Sequence, residues 1–114
     1  MGVSDFEWQR KGATLSDKSA RNQFGLTQDE IVEAIRAGRL HCRVNSVYGN
    51  PFLRLLRREV ERLVKRRRGQ RYLKDQQLKT QLANVNRELK LLKARMATLE
   101  TRKSQLIAGL GHPR

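Results

Sequence analysis

Ten residues between Arg54 and Lys74 are arginine or lysine: Arg54, Arg57, Arg58, Arg62, Lys65, Arg66, Arg67, Arg68, Arg71 and Lys74. Only Glu59 and Glu61 oppose them, so this stretch holds a net +8 of the chain's +14. The chemistry such a set performs is recognition of a polyanion. Guanidinium forks match phosphate oxygens, and each phosphate neutralised adds about 0.9 to the salt slope of binding, so about five or six contacts would dominate affinity. Nucleic acid is the commonest partner of so concentrated a charge, and an anionic membrane surface is second. A solvated basic helix is the plainer alternative. The run KRRR also has the form of a nuclear address.

Reaction chemistry has no comparable set of residues. There is no glycine-rich phosphate loop, no acid pair with a supporting histidine and no metal cluster, so neither an enzyme nor a cofactor is expected. Cys42 is the single cysteine. It leaves no internal disulfide and no C-x-x-C pair for zinc, and is expected as a small buried or half-buried strand residue. His41 beside it lacks metal-ligand spacing, and His112 lies in the tail.

The basic residues need an element to hold them. Asn50-Pro51 has the form of a helix start, a capping asparagine before a proline at the first helical position. Phe52, Leu55, Leu56, Val60, Leu63 and Val64 follow at helical spacing, which predicts one helix through the arginine run. Its apolar stripe would close a small core against Phe24, Leu26, Ile31, Ile35 and Leu40, with the arginines on the opposite face.

Upstream, residues 15–40 read as two short helices joined by a tight turn. Ser16 caps the first, with Leu15 and Ala20 at staple positions, and Gly25 ends it. Thr27 and Glu30 form a capping box for the second, with Leu26 and Ile31 as its staple. Ile31, Ala34 and Ile35 share one face, and Gly38 fits a left-handed stop. Two helices across a glycine-containing turn have the form of a helix-turn-helix; a corner that only builds a core fits the stretch as well. Leu40, Cys42 and Val44 then alternate with His41 and Arg43 as in a half-buried strand, and Asn45 to Pro51 is rich in turn residues. This predicts a wing-like strand and loop with Arg39, His41 and Arg43 on or near its solvent side, an ordinary connecting loop being the alternative. Residues 1–13 are expected as a flexible leader, partly docked through Trp8.

From Leu78 the apolar spacing becomes strict. Leu82, Leu89 and Met96 take heptad position a; Leu78, Val85, Leu92, Leu99 and Leu106 take d. No proline or glycine interrupts residues 70–108, which as one helix would run about 58 Å. A seam so long and narrow is expected to pair with a copy of itself. In a parallel pair Glu88 would meet Lys93, and Arg95 would meet Glu100; an antiparallel pair is the other possibility. The stripe of the basic helix and this seam do not share one phase, so a hand-over is expected near Gly69. No apolar run approaches the ~20 residues of a membrane span and no apolar signal core opens the chain, so a soluble intracellular protein is expected, in cytoplasm, nucleoid or nucleus.

The order S-x-x-x-A-x-x-x-F-G-L-T-x-x-x-I-x-x-x-I-x-x-G-x-L over residues 16–40 resembles the head of the MerR and phage-excisionase group of winged helix-turn-helix proteins. MerR-type regulators also place a dimerising coiled coil after the head. Residues 15–64 also resemble the C-terminal half of the DNA-binding domain of the xeroderma pigmentosum group A repair protein, whose zinc-binding cysteines are absent here. The resemblance implies DNA contact through a wing (Arg39, His41, Arg43) and a basic helix (Arg54, Arg57, Arg58, Lys65, Arg68). The second helix opens Gln28-Asp29-Glu30 and continues with Glu33. Those acids repel phosphate, which leaves Gln28 and Arg36 as the candidates for base edges.

The expectation is therefore a mainly α chain in four parts. A flexible leader (1–13) precedes a winged helix-turn-helix-like DNA-binding head, with a minimal β hairpin or strand and the basic helix (14–68). A coiled coil (69–108) and a tail (109–114) follow. The expected function is contact with duplex DNA as a coiled-coil dimer, in regulation, repair or DNA architecture. The alternatives are a structural adaptor whose coiled coil recruits a protein partner, and an RNA-binding protein; few exposed aromatics argue against single-strand reading.

Overall fold

The computed structural model describes residues 5–111. In chain order its elements are α1 (Asp5–Gln9), β1 (Thr14–Ser16), α2 (Asp17–Phe24), α3 (Gln28–Arg36), β2 (Cys42–Val47), β3 (Asn50–Leu56), α4 (Arg57–Arg68) and α5 (Gln70–Leu110). The chain is mainly helical, with a three-stranded antiparallel sheet in the order β1-β3-β2 and a long C-terminal helix. It forms two compact units, residues 1–78 and 79–114.

Local chemistry sets the helix pair. Ser16 Oγ accepts from the Ser19 amide at 3.0 Å, and α2 stops at Gly25, whose φ of +69° places it in the left-handed region. Thr27 and Glu30 close a reciprocal capping box on α3, at 3.0 and 3.1 Å. Both staple pairs, Leu15 with Ala20 and Leu26 with Ile31, are buried. After α3, the amides of Arg39 and Leu40 both donate to Ala34 O, which turns the chain toward β2.

The basic helix starts later than Asn50-Pro51 predicts. Tyr48 (φ 52°) and Gly49 (φ 81°) form a two-residue turn with both φ angles positive, and Val47 pairs with Asn50 across it. The chain then continues as β3 to Leu56. Pro51 is tolerated there because it sits opposite Ser46 in the non-hydrogen-bonded position, where no amide is needed toward β2. Phe52, Leu55 and Leu56 match helical spacing, but Leu53 and Leu55 match strand alternation equally well. The hairpin decides between the two periods. Arg54 is consequently a strand residue. α4 begins at Arg57 without a side-chain cap, its first amide donating to Ala13 O at 2.8 Å.

Two further expectations are corrected. Residues 5–9 of the expected leader form α1, and Trp8 is only 3% exposed; residues 1–4 lie outside the described residues. The head also does not end at residue 68. Gly69 (φ +89°, ψ 162°) separates α4 from α5, and the first turns of α5 return to the core. Leu73 joins the cluster built by Phe24, Leu26, Ile31, Leu55, Val60 and Val64, and Tyr72 packs on its edge. Tyr72 Oη donates to Phe24 O at 2.8 Å, and a Cβ at Gly25 would lie 2.7 Å from that oxygen. Glycine is therefore needed at position 25 for its backbone angle and for its lack of bulk. α5 runs on to Leu110, into the expected tail; His112 lies outside the described residues.

Candidate nucleic-acid interface

The basic residues divide by what they touch. Arg39, in the turn after α3, and Arg62 and Arg66, one helical turn apart on α4, line a single groove of about 350 Å³ together with His41, Glu59 and Leu63. All three arginines are exposed, and among the described residues none has a polar partner in the chain. Glu59 is the one carboxylate in the groove, 5% exposed. It accepts from the His41 amide at 2.8 Å, and its other oxygen lies 2.7 Å from His41 Nδ1. Its acceptor capacity is thus taken up by His41, and the groove offers solvent its guanidinium groups. Arg36, Lys65, Arg71 and Lys74 are likewise exposed and without a polar partner among the described residues.

The other arginines are held internally. Arg43 and Arg54 are cross-strand partners, an arrangement that sets like charges directly opposite. Trp8 relieves it: the Arg43 and Arg54 guanidinium carbons stand 4.7 and 6.0 Å from the ring centroid. Arg43 also pairs with Asp5 at 2.5 Å, while Arg54 donates to Thr14 Oγ1 at 3.1 Å and to Trp8 O. Arg57 donates to Gly12 O and Gln23 Oε1. Arg58 grips both oxygens of Glu7. Arg67 pairs with Glu30 at 3.3 Å and Glu33 at 3.8 Å. Arg68 pairs with Glu30 at 3.0 Å, donates to Gly25 O and lies over Tyr72. Gln28, expected at a base edge, is half-buried and donates its amide to Asp17 at 3.1 Å. The hairpin carries no cation from Val44 to Leu53; Val44, Val47 and Tyr48 are exposed instead.

Comparison of the chain with protein-family models, with curated proteins and with solved structures finds no match. No group of three metal-ligating side chains exists among the described residues, and none of the helices there is long and apolar enough to cross a membrane. The residues that composition could not reveal are the acids Asp5, Glu7, Glu30 and Glu59. Each acts on a cation or histidine far away in sequence, so no local spacing points to the pairing.

Two of these acids, Glu7 and Glu30, carry a pH dependence. The hydrogen bond from Arg58 holds the Glu7 carboxyl below its ordinary value of 4.5, and Glu7 raises Arg58 in return. The Thr27 amide, followed by Arg68, holds Glu30 down. A carboxyl lowered by folding stabilises the fold fully above its unfolded pKa, and that contribution is lost as pH falls through the folded value. Acidification below pH 4.5 is therefore expected to free α1 from Arg58. Trp8, the single tryptophan, reports this as a red shift of emission, and Glu7→Gln should show less of it.

The apolar residues of the expected seam line α5. Leu78, Leu82, Val85, Leu89, Leu92, Met96, Leu99 and Leu106 are all between 46% and 61% exposed. No buried residue occurs on α5 beyond Leu73.

Proposed function

We propose that the chain binds duplex DNA along its phosphate backbone, through Arg39, Arg62 and Arg66 around the groove, with Lys65 beside them, and that it does so as a dimer paired along α5. The observation that carries this reading is the convergence of three unpaired arginines, from two elements, on one groove whose only carboxylate is taken by His41. Arg36, Arg71 and Lys74 add unpaired charge nearby in sequence. The internally held arginines leave the interface, which makes it smaller than the run of basic residues suggests.

The winged-head reading is supported by the order α1-β1-α2-α3-β2-β3 and by a hairpin at the edge of the sheet, an arrangement in keeping with the MerR-like and repair-protein-like resemblance. On this reading α3 would face the bases. Its exposed Asp29 and Glu33 oppose phosphate, and Gln28 is engaged, so affinity comes from backbone contact and sequence preference is weak. A second reading, a structural adaptor that recruits a protein partner through α5, is favoured by one observation: six basic side chains are occupied by the chain itself.

Fluorescence anisotropy with random-sequence duplex DNA tests the proposal. About four phosphate contacts give a salt slope near −3.6, so affinity should fall roughly 100-fold between 50 and 200 mM salt. Absence of binding at low salt would overturn the DNA reading in favour of the adaptor. Tighter binding to duplex RNA of equal length would move the assignment to RNA.

A further inference from the structure

We infer that the α5 seam pairs with the seam of a second copy running in the opposite direction. This rests on the dimer proposed above and adds its orientation.

The residue that decides is Lys103. It follows Leu82, Leu89 and Met96 at the next a position. A parallel pair stacks each a residue on its own counterpart, so two Lys103 ammonium groups would meet inside the seam. An antiparallel pair sets a against d. The layers become Leu89 with Leu92, Val85 with Met96, Leu82 with Leu99, and Leu78 with Lys103. Each lysine then lies on a leucine near an end of the seam, where its stem covers apolar surface and its ammonium reaches water.

The flanking charges suit this orientation as they suit a parallel one. Antiparallel pairing brings g beside g and e beside e, so Glu88 meets Arg95 and Lys79 meets Glu100, each twice by symmetry. The remaining flanks, Gln81 with Arg102 and Asn86 with Lys93, contain no like charges. Among the described residues none of these charged side chains on α5 has an ion-pair partner within the chain. A shallow groove of about 450 Å³ lies along Leu92, Met96 and Leu99, bordered by Arg95, Glu100 and Lys103. The opposing copy fills it with Leu89, Val85 and Leu82.

Long-range charge points the same way. The stretch 54–74, at net +8, is joined to the N-terminal end of the seam. Parallel pairing gathers two such ends. Antiparallel pairing separates the seam ends by about 38 Å, several Debye lengths at physiological ionic strength.

A charge exchange distinguishes the orientations, read by sedimentation equilibrium with circular dichroism as a check on folding. Glu88→Arg places like charges against Arg95 of the other copy at both symmetric sites, and should weaken the dimer roughly tenfold or more. Adding Arg95→Glu restores opposite charges in the antiparallel pair, and should return the dimer to within about threefold of the original. In a parallel pair the same double variant creates like charges against both Lys93 and Glu100, and would be weaker than the single one. That outcome, or a Glu88→Arg dimer as tight as the parent, overturns the orientation while leaving the dimer. A parent chain that sediments as a monomer overturns the dimer itself.

Discussion

Reversing the groove, with Arg62→Glu and Arg66→Glu together, is expected to weaken binding to random-sequence duplex DNA by on the order of 10²–10³-fold at low salt. Two phosphate contacts are lost and two repulsions take their place, in an interface of about four contacts. Both side chains are exposed and, among the described residues, bond to nothing, so circular dichroism and thermal stability should be almost unchanged. The contrast is Arg58→Gln set against Arg62→Gln, since each removes one positive charge from the same helix. Arg58 is already neutralised by Glu7, so its loss should change binding no more than about threefold while weakening the docking of α1. If Arg62→Gln lowers affinity no more than Arg58→Gln, the groove is not the interface and the general charge of α4 is.

Trp8→Ala is expected to cost about 3–5 kcal/mol of stability, measured by urea unfolding followed at 222 nm. The ring is 3% exposed and lies against two arginines that face each other across β2 and β3. Its removal leaves a cavity and returns two like charges to direct opposition without their aromatic cover. Were residues 5–9 a loose leader, the same change would stay within about 0.5 kcal/mol, as surface substitutions usually do.

The caps were legible because capping is local. Ser16, Gly25, Thr27 and Glu30 act within four residues of the groups they satisfy, and the helix pair follows from them. The apolar spacing from Leu78 to Leu106 was legible for the same reason, since one helix face is written at fixed intervals. A minimal hairpin or strand was legible, but the run of β3 on to Leu56 was not, because Tyr48-Gly49 lacks the asparagine or aspartate that advertises such a turn, and Asn50-Pro51 imitates a helix start. The division of the arginines was invisible in principle. Asp5 lies 38 residues from Arg43, and Glu7 lies 51 from Arg58. Composition supplies the charges of such pairs but not their meeting. The hand-over near Gly69 was legible from the change of phase; the break itself was not, because Tyr72 and Leu73 join the core through contacts far away in sequence.

The position of β2 has a consequence for handling the protein. It is an outer strand of its sheet, and from Val44 to Val47 it bears neither a charged side chain nor a proline. Val44 is 71% exposed and Tyr48, at the tip, 99%. Natural sheets blunt such margins with lysine, proline or a bulge. Here the margin is bare, so concentrated solutions should be prone to strand-to-strand association that involves no part of α5, and a lysine in place of Val44 is the simplest remedy.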